Sequence, residues 1–246
     1  MNGSGRFDTR VMAAVVMALG IITASWIAAG AARHFVDSRA TITVTGSAKQ
    51  TLRSDRALWR GVYSTQSPQL AAAYAELEGT RRTVLAYLAT QGFADSALTV
   101  SQVMTMPLNE RTPSGMPTER IEAYRLVQTV EIRSGDVQRI EALARESTEL
   151  LKQGVRFESN APEFGVSNLA DLKKQMLAAA TRDARARAEE MAKNAGSKIG
   201  RLRGARMGVF QVTPAGSTEV SDYGVNDTSS LEKDITAVVS ATFELR

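Results

Sequence analysis

The chain reads as an α+β protein, a mainly antiparallel sheet covered by helices in the order ββαββαβαββ, preceded by one N-terminal transmembrane helix. Three observations predict this. Val11–Ala32 is an uncharged run (VMAAVVMALGIITASWIAAGAA). Beyond residue 40 the apolar spacing switches repeatedly between period 2 and period 3.6. Helical stretches separate pairs of strand-like ones, the arrangement of an α+β fold rather than of a parallel βαβ repeat.

The uncharged run is flanked by Arg6 and Arg10 before it and by Arg33, His34 and Arg39 after it. As a helix it would rise roughly 33 Å, enough for a hydrocarbon core of about 30 Å. Trp26 falls toward its far end, where an interfacial aromatic sits. A secretory apolar region is usually about 7 to 15 residues long, so a retained signal-anchor is favoured, although Ala29-Gly30-Ala31 supplies a small-x-small cleavage pattern. The alternative is a cleaved signal and a soluble periplasmic product. The nearby positive charges, two before the helix and Arg33, Arg39, Lys49 and Arg53 after it, would by themselves hold the C-terminal body inside. Long domains translocate largely regardless of charge, so a periplasmic or extracellular body is expected. The expected organisation is a cytoplasmic tail at 1–10, the membrane helix at 11–32, a linker at 33–40 and one α+β domain at 41–246.

Along that domain, Thr41–Gly46 and Leu58–Gln66 read as two strands joined by a polar turn containing Asp55. Ser67-Pro68 reads as an N-cap with proline at the first helical position, opening a helix with Leu70, Tyr74, Leu77, Val84, Leu85 and Leu88 on one stripe until Gly92. Leu98–Met106 alternates, placing Leu98, Val100, Gln102, Met104 and Met106 on one side. Pro107–Glu119, with three prolines and a glycine, reads as a loop at the tip of a long hairpin. In the next strand Tyr124, Leu126, Gln128, Val130 and Ile132 alternate with Arg125, Val127, Thr129, Glu131 and Arg133, the pattern of a sheet sealed on one face only. Asp136–Gln153 is a helix ended by Gly154, and Val155–Gly165 is extended. Asn168–Ala195 is a long helix with an alanine-rich seam, which permits close approach to a sheet. Ile199–Val212 is a strand, Thr213–Ser230 a polar loop and Ile235–Leu245 the last strand.

Composition removes most reactive chemistry. The chain has 246 residues, 43% of them hydrophobic, a net charge of +4, no cysteine and one histidine. Disulfides, thiolate catalysis, Cys-ligated metals and multi-His sites are excluded. No phosphate-binding glycine motif and no G-x-S-x-G elbow occurs, and His34 lies beside the apolar run, away from any Ser–His–Asp arrangement. Glu189 and Glu190 point about 100° apart on a helix and do not form a carboxylate pair. No catalytic, cofactor-binding or metal-binding residue is assigned, and no cofactor is expected.

Residues 181–206 hold eight basic residues and three acids. They lack interleaved aromatics and include an i,i+4 pair, Arg185–Glu189, so a solvated face is favoured over a nucleic-acid surface. This strip also suits contact with acids of a neighbouring copy such as Asp222, Asp227 or Glu232.

Three segments together resemble the SIMPL-domain family: Ile42-Thr43-Val44-Thr45-Gly46-Ser47-Ala48 with Asp55-Arg56-Ala57, Tyr124–Val130, and Ala184–Ala192 through Gly196 to Ile199-Gly200. The likeness covers residues 40–246. It implies an α+β domain of bacterial exported or membrane-anchored proteins, able to form large homo-oligomeric rings, with loose links to envelope and oxidative stress and no agreed catalytic residues. The functional expectation is therefore a non-enzymatic, membrane-anchored envelope protein at the bacterial inner membrane. Its partners are expected to be its own copies, through Arg125, Thr129, Glu131, Arg133, Arg185 and Arg187, and membrane lipid through residues 11–32, with no nucleic acid. The alternative is a periplasmic ligand-binding or signalling module acting through the 107–119 or 213–230 loops.

Overall fold

The computed structural model describes residues 9–37 and 40–246, with side chains in the first helix described at 12, 13 and 15–27. The chain divides into two compact units. Unit 1 takes the chain up to Ala48, Lys174–Val209 and Thr236–Arg246, and unit 2 takes Lys49–Lys173 and Phe210–Ile235. The fold is α+β with antiparallel sheets, as expected, and its strands are more finely divided than the predicted order. After helix α1 (Thr9–Asp37), the sequence of elements is ββαβββαββαβββ.

Helix α1 carries the apolar run, and its described large side chains are exposed, among them Val16, Trp26 and Ile27. Among the described residues no helix is long and apolar enough to cross a membrane. The expected anchor is thus seen as an exposed apolar helix.

Unit 2 is built on a six-stranded sheet. Strand β2 (Arg56–Ser67) is central, paired antiparallel with β5 (Pro117–Ser134) on one side and with β6 (Arg156–Ser159) and β7 (Glu163–Gly165) on the other. Strands β3 (Leu98–Val100) and β4 (Met104–Arg111) pair with β5. The predicted period-2 pattern of β5 holds: Leu126, Gln128, Val130 and Ile132 are buried, while Arg125, Val127, Thr129, Glu131 and Arg133 are not. Helices α2 (Leu70–Thr90) and α3 (Val137–Glu146) cover the buried face through Leu77, Val84, Leu88, Val137, Ile140 and Leu143, against Trp59, Tyr63, Val130 and Ile132. Two polar groups at the centre of this core are paired, whereas the Tyr87 hydroxyl at its edge is buried without a partner among the described residues. Trp59 Nε1 donates to Ser159 Oγ at 3.0 Å, and the Tyr63 hydroxyl donates to Gln128 Oε1 at 2.7 Å. Burial pushes the Tyr63 hydroxyl up to about 12.

Several boundaries moved for identifiable reasons. Helix α2 starts at Leu70 with Gln69 as N-cap, because Ser67 is still strand and Pro68 lies outside the helix. The expected polar turn after Gly46 is mostly strand, since β1 runs Thr41–Arg53 and only Ser54 and Asp55 separate it from β2. The expected loop Pro107–Glu119 is mostly a two-stranded ribbon, with a turn at 112–116. Pro107 is tolerated because β4 pairs on one side only, where no N–H is required on the open edge. Met104 and Met106 face Val127 and Arg125 on the outer side, not the side of Leu98 and Val100 as expected, because 98–106 divides into two strands of different register. The 155–165 segment is two short strands, and the expected strand Ile199–Val212 divides into β8 (Ile199–Met207) and β9 (Gln211–Pro214).

In the second sheet β10 (Glu232–Leu245) lies between β1 and β8 and also pairs with β9. Within unit 1, α4 (Leu169–Asn194) lays Ala184 and Ala188 on Val44, Ala241 and Phe243. The seam of small side chains brings helix and strand backbones close. A Cβ on Gly46 would overlap the backbone of Ala180 and Ala184, and Ser47 N–H donates to Asp183 Oδ2 at 2.8 Å beside it.

Gly46→Ala is therefore expected to destabilise the protein by about 1–3 kcal/mol, because the obstacle is helix backbone rather than a side chain that can rotate away. Gly204→Ala, at a strand position where a Cβ meets nothing within 4 Å, should be neutral or slightly stabilising. Thermal denaturation followed by circular dichroism compares the two. Equal melting temperatures would show that the α4 contact tolerates a methyl group.

Candidate functional site

Unit 2 presents three features outside its core: an uncovered sheet face, a ribbon extending beyond the sheet, and a cleft at one end of β2. Facing pairs across the β2–β5 ladder put Leu58 with Arg133, Arg60 with Glu131, Val62 with Thr129 and Ser64 with Val127 on the outer face. These residues are half-buried or exposed. Arg60 bridges Glu131 at 2.9 Å and Glu163 at 2.5 Å, and Arg133 also reaches Glu131 at 2.7 Å. The Glu163 bond, then the Glu131 bond, holds the Arg60 guanidinium above its ordinary value. The face is thus charge-balanced at one end and mixes valine with serine and threonine in the middle.

The ribbon lies beyond the last β2–β5 pair. Leu108 faces Ala123, Asn109 faces Ile121 and Arg111 faces Pro117, with no third strand alongside among the described residues. Met116 is 66% exposed and Ile121 45%. Such a ribbon is marginally stable alone in water.

The cleft, about 550 Å³, is lined by the apolar Ala57, Leu58 and Phe164 and by the charged Arg56, Arg133 and Glu163. Asp55 closes one side: it accepts from Ser167 N–H at 2.7 Å and from the Ser167 hydroxyl at 2.5 Å. The Ser167 hydroxyl is the main reason its carboxyl sits below the ordinary value. Asp55 thus terminates a turn, as the sequence suggested, and its oxygens are committed.

The expected interface residues fall into two groups. Arg125, Thr129, Glu131 and Arg133 share the outer face of β5 in unit 2. Arg185 and Arg187 lie on α4 in unit 1, where Arg185 pairs with Glu189 at 2.9 Å and Arg187 with Asp183 at 2.8 Å. The acids suggested as contacts for the basic strip need one correction. Asp227 is half-buried with its side chain only 7% exposed, its carboxylate accepting from Lys233 Nζ at 2.9 Å, and is not available to a neighbour. Burial opposes its ionisation, but the bonds from Lys233, Ser229 and Ser230 outweigh it and hold the carboxyl well below the carboxylate range. Lys233, only 1% exposed, also donates to the Asp227 carbonyl at 2.7 Å.

Sequence reasoning missed this pair and its neighbour. Asp234, 2% exposed, receives Lys49 at 2.7 Å, the Thr51 hydroxyl at 2.6 Å and Gly216 N–H at 2.8 Å. Lys49, then Thr51 and Gly216, bring its carboxyl to about 2. The available signal was Lys233-Asp234 standing where the alternation of β10 begins. Charges beside a polar loop look solvated unless their partners are known. The 213–230 segment is therefore pinned at Gly216 and at Asp227. Among the described residues no three His, Asp or Glu side chains come together as a metal site.

The architecture defines the class, a two-unit α+β protein built on antiparallel sheets. Within that class the chain belongs to the SIMPL family, a protein family of unknown function (DUF541), whose sequence model matches residues 42–243. No curated protein matches the chain significantly.

Two consequences follow for stability. Lys233→Met leaves Asp227 buried without its cation and is expected to destabilise the fold by about 3–5 kcal/mol in urea titrations at neutral pH. Asp234 has a folded pKa of about 2, below its ordinary 3.8. Its contribution is complete above about pH 4 and is lost as pH falls from about 4 toward 2. Asp234→Asn should flatten the acid limb of the stability–pH curve in that window, and an unchanged slope there would contradict the assignment.

Proposed function

We propose that this chain is a non-enzymatic, membrane-tethered envelope protein whose body lies on the periplasmic side of a bacterial inner membrane and closes with its own copies into a ring-like homo-oligomer. Envelope or oxidative stress response is the setting that family resemblance suggests. The observation that carries the reading is the uncovered face and ribbon of unit 2. A two-stranded ribbon with exposed Met116 and Ile121 continues a sheet whose outer face keeps Val62, Val127 and Thr129 accessible. Surfaces of this kind gain most from a neighbour that supplies cover, and a closed symmetric assembly gives every copy the same cover. Arg125, Thr129, Glu131 and Arg133 would lie in that interface. The exposed apolar side chains of α1 supply the tether, since Val16, Trp26 and Ile27 need lipid or protein around them.

Recognition through the 107–119 or 213–230 segments is less favoured. The first is mostly paired strand, and the second is held by Asp227 and Asp234.

The test is native mass of the full chain in detergent. Wild-type protein should give a single multiple of the 26.5 kDa chain at micromolar concentration. Ile121→Glu combined with Val127→Glu should shift it to monomer with little change in melting temperature, since neither side chain is in the core. A monomeric wild type would overturn the reading. A C-terminal alkaline phosphatase fusion, expected to be active, checks the side of the membrane separately.

A further inference from the structure

We propose that the cleft at the end of β2 in unit 2 is a binding site for a small organic carboxylate with a compact apolar body, its carboxylate held by Arg56. This goes beyond the assembly reading and does not depend on it.

The charge pattern selects an anion. Of the two carboxylates at the cleft, Asp55 is committed to the backbone and hydroxyl of Ser167, and Glu163 is committed to Arg60. Of the two guanidiniums, Arg133 is bound to Glu131, whereas Arg56 has no carboxylate within ion-pair distance among the described residues and only lies in the field of Asp55. Asp55 keeps its charge, since Ser167 is neutral, but its oxygens are bonded; the charged group whose hydrogen-bonding capacity is unclaimed is the Arg56 guanidinium. A planar guanidinium offers a carboxylate two parallel hydrogen bonds, a stronger and more directional interaction than a neutral donor gives.

The shape selects a small molecule. A volume of about 550 Å³ lies in the range of ligand pockets, and Leu58, Ala57 and Phe164 are the apolar residues among its lining. The walls are fixed beforehand. Asp55 N–H donates to the Gly165 carbonyl at 3.1 Å, and Phe164 N–H to the Thr228 carbonyl at 2.6 Å. Gly165, which faces Arg56 across the ladder, keeps the space open, since a Cβ there would meet nothing within 4 Å. A larger side chain at 165 would occupy the cleft without displacing the protein.

The test uses the full chain in detergent and fluorine NMR line broadening with 4-fluorobenzoate as probe, against 4-fluorobenzamide and 4-fluorobenzylamine at equal concentration. Expected is saturable broadening of the benzoate with a dissociation constant of about 1 mM or below. It should weaken by about tenfold in Arg56→Gln, which removes the charge-assisted bond, and disappear in Gly165→Leu. Melting temperatures establish that both variants fold, with Gly165→Ala as the milder cleft-filling variant should leucine fail to fold. The amide should bind more weakly and the amine not at all. Absence of saturable benzoate binding overturns the proposal, as does equal binding of the amine. Loss in Arg56→Gln with full retention in Gly165→Leu would mark a surface arginine rather than a cleft. Loss in Gly165→Leu alone would remove the carboxylate assignment. Either result rejects the site as proposed.

Discussion

Residues that face one another across the β2–β5 ladder share one side of the sheet, and the period of two divides each strand between α2 and α3 on one side and open surface on the other. Trp59, Tyr63, Leu126, Val130 and Ile132 form the sealed half, and every polar group buried among them has to be answered locally. Tyr63 is answered by Gln128 and Trp59 by Ser159, whose hydroxyl in turn donates to the Ala144 carbonyl at 2.8 Å. A slip of one residue would place Arg60 and Glu131 in that core and Val130 in water. The core therefore sets the register, and the register sets which side chains the outer face presents.

The same constraint explains what was legible beforehand. Strands β5 and β10 and helices α3 and α4 were readable because apolar spacing repeats over several turns or pleats. Asp136 announced the start of α3, where it accepts from Arg139 N–H, and Gly154 marked the end of the following 3₁₀ turn with φ of 80°. Strand β1 past Gly46 was not readable, since Ser47–Arg53 has few apolar residues and its pairing with β10 supplies what alternation does not. Strand β4 was concealed by Pro107, which signals a break in a central strand but not at an edge. The alanine seam of α4 was visible, whereas the need for glycine at position 46 depends on where the helix backbone comes to rest.

The outward features were less legible because they join distant parts of the chain. Asp55, Arg133, Phe164 and Thr228 share a cleft through strand pairing and loop return, and no local motif records that. The interface residues picked from β5 fell on one face because alternation places them there. Arg185 and Arg187 are tied within their own helix to Glu189 and Asp183, the first pair read from its i,i+4 spacing and the second not. Charge density measures composition along the chain, while availability depends on partners across space.

The buried charges at the start of β10 connect core, loop and cleft within unit 2. Lys233 fixes Asp227 through both its carboxylate and its carbonyl. The next residue, Thr228, offers its carbonyl to Phe164 N–H and so holds one wall of the cleft. An apolar pair in place of Lys233 and Asp227 could fill the same volume, and such replacements are often no less stable. It would lack the carboxylate bonds to Ser229 and Ser230 that set the path of the chain after Thr228. The ion pair therefore acts by specifying one conformation of the segment. A wall held in this way loses little further freedom when a ligand arrives, which is the condition under which a small cleft with one unclaimed guanidinium can bind at all.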